Sequence, residues 1–155
     1  MSRFEAETTI ERAAADVWAY AADILRHPDW MTVADAHLLR GDGTQVGARG
    51  REKLHFGPFR WDVDLEVAEA EPGRSIVWRT VDDPRLDGRT TLELASTGPA
   101  TTRATYSSDV RMCGWWRVLT PLLAIEARAG VKRELMRLKA NLERGAGGTT
   151  GEDGA

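Results

Sequence analysis

Glu52 is the only ionisable residue on the inward side of its predicted strand. Gly50, Leu54 and Phe56 share that side, and charged residues occupy the alternate positions. A carboxyl group that faces a protein interior could transfer protons or anchor a polar group of a ligand, so Glu52 is a candidate catalytic residue. Two alternatives stay open here: a β-bulge could turn the side chain outward, or the side chain could reach solvent at the mouth of a cavity.

Tyr106 and Ser108 place two hydroxyl groups on inward positions of the last predicted strand. They could orient a polar group of a bound molecule, because ligand pockets are mostly apolar with a few well-placed polar atoms. Tyr106 is also a candidate acid–base partner of Glu52. The alternative is that each hydroxyl bonds a backbone carbonyl or a buried water.

Aromatic and aliphatic side chains surround these polar candidates. Trp61 and Trp78, two of the six tryptophans, fall on inward strand positions, where they could stack on a ring-bearing ligand or simply fill the core. Leu54, Val63 and Leu92 have the same inward placement in their strands. We expect all five to cover one face of a sheet and to line a ligand-binding site.

The strands that carry Glu52 and Trp61 are predicted to form a hairpin around Gly57-Pro58. With a two-residue turn, one face of the hairpin brings together three opposite-charge pairs: Lys53 with Asp62, Arg51 with Asp64, and Arg49 with Glu66. Each pair contributes about 0.2–1 kcal/mol, and a slip of one residue would destroy all three. The sequence therefore predicts this register and directs Trp61 to the opposite face.

Further strands are predicted at residues 75–81, 90–95 and 101–112. Six or seven consecutive antiparallel strands lying between helical segments indicate an α+β domain. Thr120-Pro121 is predicted to begin a long amphipathic helix, with Thr120 as its N-cap, that continues to about Arg144. Residues 145–155 form a Gly-rich tail that we expect to be disordered.

The inward stripe of the long helix changes in size along its length. Ala124, Ala127 and Gly130 are small, whereas residues 131–142 carry Val and Leu at the inward positions. We expect a cavity between the sheet and the small-residue half, lined by Ala124 and Ala127, and close packing over the bulky half. The alternative is that the small residues only let the helix approach the sheet.

Bulk properties exclude several classes of function. The formal net charge of −3 argues against a nucleic-acid or anionic-membrane partner. A single cysteine and the absence of H-E-x-x-H and G-x-S-x-G motifs predict no disulfide, no metal and no cofactor. The apolar run 118–125 is too short for membrane insertion, and no signal pattern is present, so we expect a cytoplasmic protein. Arginine-rich usage suits a bacterial source, and the sequence carries no signal for an oligomeric state.

A family resemblance follows from the order of these elements. The chain has a strand, a helix with Val17-Trp18, a second helical segment between Asp23 and Trp30, a run of strands and the helix carrying residues 135–143. This order resembles the Bet v 1/START-like (SRPBCC) superfamily and its polyketide cyclase/dehydrase-type family. Ala14 stands where many relatives have proline. The resemblance implies a helix-grip fold over residues 1–144, in which a curved antiparallel sheet wraps around a long C-terminal helix and two short helices follow the first strand.

The resemblance also implies where a ligand would enter. Trp30, Met31 and Trp116 lie near elements that frame the entrance in this superfamily, which makes Trp30 and Trp116 candidate ligand contacts. The segment 112–116 could be a flexible gate or an apolar corner. Exposure of both Trp115 and Trp116 would mark a partner surface.

The resemblance further implies a small hydrophobic ligand, cyclic or polyketide-like, bound between the sheet and the long helix. One alternative is a polyketide aromatase/cyclase or dehydratase in which Glu52 and Tyr106 move protons. Aromatase/cyclases place an arginine inside the cavity, whereas the strand arginines of this chain alternate with apolar residues and should point outward: Arg60, Arg79, Arg89 and Arg103. Another alternative is a self-resistance or co-chaperone-type protein.

Overall fold

Seven strands make up the sheet of the computed structural model, which describes residues 2–56 and 58–149. They are β1 (Ser2–Ile10), β2 (Val33–Arg40), β3 (Arg49–Phe56), β4 (Phe59–Glu71), β5 (Ser75–Val81), β6 (Leu86–Gly98) and β7 (Thr101–Met112). All neighbours are antiparallel, in the order β1-β7-β6-β5-β4-β3-β2. The architecture is the predicted α+β helix-grip fold.

The β3–β4 hairpin has the predicted register. Arg49 lies opposite Glu66, Arg51 opposite Asp64 and Lys53 opposite Asp62. Arg51 binds Asp64 through two hydrogen bonds, with Nε 2.7 Å from Oδ1 and Nη2 3.0 Å from Oδ2, and Arg49 Nε lies 3.0 Å from Glu66 Oε2. Asp62 is exposed and Val63 is buried, as the alternation requires. Gly57, at the predicted turn, lies outside the described residues.

Register shifts let the sheet curve around its contents. One lies between Val67 and Glu69 where β4 pairs with β5, and two more interrupt the pairing of β2 with β3. Such β-bulges bend a strand and increase its twist, which closes a sheet around a helix. The short helical segments that follow β1 pack against β2.

Two short helices connect β1 to β2, as the resemblance implies. Helix α1 spans Ala14–Ala21, and α2 spans His27–Trp30 after a single 3-10 turn at Ile24–Arg26. The Asp23 carboxylate accepts a hydrogen bond from the Leu25 amide at 3.0 Å and caps that turn. Pro28 lies in the first turn of α2, where its missing N–H costs nothing. These two constraints fix the position of His27.

Helix α3 (Thr120–Thr149) differs from its prediction at both ends. It continues a 3-10 segment at Gly114–Leu119, and Thr120 has helical dihedral angles of −54° and −46°, so the prediction of Thr120 as N-cap was wrong. The helix also runs past Arg144 to Thr149, because glycine lowers helix propensity without blocking the helical backbone. Residues 150–155 lie outside the described residues, and their disorder stays a prediction.

Two hydrophobic clusters fill the space between α3 and the sheet. The larger contains the bulky half of α3, with Leu135 and Leu138 packed against β1 and the central strands. The smaller centres on Val63, Leu86 and Met112, beneath the beginning of α3. No helix in the described ranges is long and apolar enough to cross a membrane.

The segment before α3 exposes one of its two tryptophans. Trp115 is 70% exposed, whereas Trp116 is half-buried and stacks on it with ring centroids 4.1 Å apart. Only half of the condition for a partner surface is therefore met. Trp116 also approaches Trp61, with ring centroids 6.4 Å apart, which ties this corner to the smaller cluster.

Candidate functional site

A cavity lies between the sheet and the first half of α3. It has two adjoining chambers of about 200 and 190 Å³. The chambers share six lining residues: Thr32, Leu54, Leu86, Ser108, Val110 and Glu134. The inner chamber reaches His27, Glu52 and Trp78, and the outer chamber reaches Trp61, Ala127 and Gly130. The position is the one predicted from the graded stripe, and Val131 and the leucines after it close the other end.

Glu52 faces the inner chamber and pairs with His27. The Glu52 side chain is buried, and its Oε1 shares a hydrogen bond with Nδ1 of His27, which is 1% exposed. The inward placement of Glu52 is confirmed, and the extra residues of the two register shifts lie on β2, at Ala34 and Leu39. No pattern in the sequence pointed to this pair, because 25 residues separate His27 from Glu52 and the turn before α2 brings the imidazole to the inward face of β3.

Two indole rings hold the His27 imidazole in place. Trp78 approaches it edge-on with ring centroids 4.9 Å apart, and Trp30 does so at 5.9 Å. Within the described part of the chain, His27 Nε2 is buried without a hydrogen-bond partner. Most buried polar atoms in proteins are paired, so this ring nitrogen is an exception.

Tyr106 donates its hydroxyl hydrogen to a side chain of α3. Its oxygen lies 2.7 Å from Glu134 Oε2, and Glu134 Oε1 accepts the Thr32 amide at 2.9 Å. Burial raises the pKa of the Tyr106 phenol well above its ordinary value, and the neighbouring Glu134 carboxylate raises it further. Tyr106 is therefore a neutral donor near pH 7, and its partner is neither the backbone nor a water.

Some of the remaining predicted site residues line the cavity, and the others pack in the hydrophobic clusters beside it. Leu54, Val63, Trp78 and Ser108 line the inner chamber, and Trp61 and Ala127 line the outer one. Trp30 and Leu92 are fully buried in the larger cluster, where Trp30 supports the wall from behind with its ring 5.4 Å from that of Tyr106. Trp116 packs on the smaller cluster at the outer end.

Ala124 borders a different concavity. It packs against the larger cluster but also lines a groove of about 810 Å³ on the outside of α3, with Ile125, Ala129 and Met136. All the residues of this groove come from one helix, so it offers a ligand one wall only. The cavity between the sheet and α3, which has walls from the sheet and from two helices, is the better candidate.

The four strand arginines point outward, as predicted. All are exposed, and three of them pair with carboxylates on the outer face: Arg79 with Glu66, Arg89 with Glu69, and Arg103 with Glu7. The lining of the cavity nevertheless includes Arg79 in the inner chamber and Arg133 in the outer one, beside carboxyl, imidazole and hydroxyl groups. In the described ranges, no three His, Cys, Asp or Glu side chains are grouped as metal ligands would be.

Sequence reasoning overlooked His27, Glu134 and Thr32. Glu134 could have been found, because it lies three residues after Val131 and four before Leu138 on the inward stripe of α3. His27 shares a helix face with Trp30 and Met31 at the same spacing. Thr32 carried no pattern.

Comparison with known proteins assigns the chain to a family. Residues 1–143 match the model of the family described as polyketide cyclase / dehydrase and lipid transport. The chain belongs to this family. No curated protein has a sequence that matches the chain.

Solved structures share the fold of this polyketide cyclase/dehydrase and lipid transport family member at low identity. A START superfamily protein from Mycobacterium smegmatis has a TM-score of 0.76 and 14% identity, over 92% of this chain and 97% of its own. DR_A0006 from Deinococcus radiodurans has a TM-score of 0.70 and 18% identity, over 94% and 99%. The di-domain ARO/CYC BexL from the BE-7585A biosynthetic pathway has a TM-score of 0.66 and 18% identity, over 92% of this chain and 47% of its own.

Proposed function

We propose that this protein binds a small hydrophobic molecule, cyclic or polyketide-like, in the cavity between the sheet and α3. The observation that carries the proposal is the pair of adjoining chambers, whose walls are mostly apolar with a few polar side chains. Their combined size suits a ligand of one to three rings. Family membership supports the same function, and a cytoplasmic location stays a prediction from the sequence.

Two alanines of α3 allow a matched test. Ala127 lines the outer chamber, whereas Ala129 is exposed two residues later in the groove outside the helix. Ala127→Phe should fill the chamber and abolish binding of naphthalene, and it should change the free energy of unfolding by no more than about 1–3 kcal/mol. Ala129→Phe should bind naphthalene like the wild type.

Binding can be measured as the rise in Tm with naphthalene concentration, because a ligand specific for the native state stabilises it by mass action. The proposal fails if neither the wild type nor Ala129→Phe responds to naphthalene. It also fails if Ala129→Phe abolishes the response and Ala127→Phe does not, because the ligand would then lie in the outer groove. Unfolding of Ala127→Phe would favour close packing of helix and sheet over a cavity.

The second candidate function is an aromatase/cyclase or dehydratase. The observation that favours it is the buried Glu52 carboxyl group on the cavity wall, beside an imidazole. A β-hydroxy thioester of a hydrophobic acid tests it, because dehydration releases one water and gives an enoyl thioester of correspondingly lower mass. Turnover by the wild type that is lost in Glu52→Gln would establish an enzyme; binding without turnover would leave the binding function alone.

A further inference from the structure

A row of exposed apolar side chains lies on the outside of α3 and of the 3-10 segment before it. Each of its four members is more than half exposed, and in the described ranges only one other large apolar residue, Val46, is exposed to that extent. The members follow at intervals of three or four residues, which places them on one side of the helical segment: Trp115, Val118, Leu122 and Ile125. Single exposed apolar residues are ordinary, but a contiguous row indicates an interaction surface.

Unpaired cations adjoin this apolar row. Four exposed residues have no ion-pair partner within the part of the chain that the structure describes: Arg117, Arg128, Lys132 and Arg133. Three arginines on the outer face of the sheet, by contrast, are paired with carboxylates. Residues 113–137 contain five Arg or Lys and two Glu, a formal net charge of +3 in a chain whose total is −3. The total charge, which argued against an anionic partner, therefore conceals a cationic face beside an apolar one.

A partner for this face must combine negative charge with an apolar phase. The groove outside α3 is built by one helix, so a protein partner would find no cleft with two walls. A second copy of the chain would double the unpaired cations at the interface, with Glu126 as the single exposed carboxylate of residues 113–137 in each copy. An anionic bilayer meets both requirements, because apolar side chains enter the acyl boundary while Arg and Lys stay among the headgroups.

We propose that the apolar row and its four cations form a surface that docks on anionic lipid bilayers. This surface adjoins the ligand cavity, because Arg133 lines both the groove outside α3 and the outer chamber. Docking therefore brings the outer chamber to the bilayer, where hydrophobic molecules partition. The exchange of a ligand with the bilayer rests on the proposed function, whereas docking itself needs no ligand.

Vesicles of two compositions test the docking of the wild type. In sedimentation assays, vesicles of phosphatidylcholine with about 40% phosphatidylglycerol should bind the protein at least about 10-fold more tightly than pure phosphatidylcholine vesicles. Raising the NaCl concentration from about 50 to about 500 mM should weaken binding to the anionic vesicles, because salt screens the cations. No binding to anionic vesicles, or equal binding to both compositions, would overturn the proposal.

Paired charge variants locate the surface. Arg128→Gln combined with Lys132→Gln should weaken binding to the anionic vesicles about 10-fold or more, at roughly 5-fold for each charge removed. Arg89→Gln combined with Arg103→Gln is the matched control, because it removes the same charge from the outer face of the sheet, and binding should change less than about 2-fold. Equal losses in the two double variants would overturn the proposal, since attraction would then not depend on this face.

Apolar variants test the other half of the surface. Ile125→Ser should weaken binding to the anionic vesicles about 5–10-fold, because an apolar side chain is lost from the row. Val46→Ser removes an equally exposed apolar side chain outside the row and should bind like the wild type. Equal binding by Ile125→Ser and the wild type would overturn the proposal. So would a wild-type dimer that binds no vesicles and that Ile125→Ser dissociates, because a second copy would then cover the row.

The naphthalene assay separates docking from ligand binding. Ile125→Ser should keep the rise in Tm with naphthalene that the wild type shows, because Ile125 lies outside both chambers. Vesicle binding without any naphthalene response would support docking and overturn the proposed function. A naphthalene response without vesicle binding would overturn docking alone.

Discussion

Replacing Tyr106 by Phe removes one hydroxyl from the wall of the cavity and tests its bond to Glu134. That bond is short, at 2.7 Å, and is made to a carboxylate by a side chain that is 3% exposed. Hydrogen bonds to charged groups contribute about 1.5–3 kcal/mol. Because Glu134 is only half-buried and keeps the Thr32 amide, we expect the lower part of that range, about 1.5–2 kcal/mol.

Tyr20→Phe is the natural control, since the chain has two tyrosines. The Tyr20 hydroxyl accepts a longer bond, 3.3 Å, from the neutral Asn141 amide, so its loss should cost about 0.5 kcal/mol. Urea unfolding followed by tryptophan fluorescence measures both values, and the Tyr106→Phe loss corresponds to a Tm lower by about 3–8 °C. A Tyr106→Phe loss no larger than that of Tyr20→Phe would refute the reasoning.

The same variant changes the alkaline limb of stability. The native state raises the pKa of the Tyr106 phenol, so folding favours the protonated phenol. That contribution is complete below the unfolded pKa of about 10 and is lost as the pH rises through the folded value. The decline of wild-type stability above that pH should therefore be smaller in Tyr106→Phe, as urea unfolding at a series of alkaline pH values would measure.

Three further predictions concern the scaffold. Leu138→Ala should lower the free energy of unfolding in urea by about 2–5 kcal/mol, because Leu138 is fully buried. Leu122→Ala, at a 53% exposed position of the same helix, should lower it by less than about 0.5 kcal/mol. Equal losses would contradict the packing of α3. Gly50→Ala should lower stability by about 1–3 kcal/mol, since an added Cβ would lie 2.7 Å from Cγ2 of the buried Ile24, and an unchanged Tm would contradict this contact. Asp64→Asn should reduce the loss of folding stability at acid pH, because the paired Arg51 lowers the pKa of Asp64 in the native state. The contribution of Asp64 is present above the unfolded pKa of about 4 and is lost as the pH falls through the folded value. An unchanged loss of stability at acid pH would argue against the ion pair.

What the sequence predicted well depends on short-range information. The β3–β4 register follows from a period of two and from three matched charges within one hairpin, and all of it is local. The position of the cavity follows from the size of the side chains along α3, which is a property of one helix. The ends of α3 were less predictable, because a helical backbone tolerates both the preceding 3-10 segment and the glycines after Arg144.

The chemistry of the site depends on contacts between distant segments. His27 meets Glu52 across 25 residues, and Tyr106 meets Glu134 across 28. Neither contact follows from a periodicity, because it requires the curvature of the sheet and the angle at which α3 crosses it. The sequence could place Glu52 and Tyr106 inward, yet it could not show that one would meet an imidazole and the other a carboxylate.

A crystal structure of the complex with naphthalene tests the central claim most directly, because it locates the ligand. The account predicts density for the rings between the sheet and the first half of α3, in contact with Trp78 and Leu54. Density only in the groove outside α3, beside Ile125 and Met136, would contradict the account, and so would a cavity filled by its own side chains.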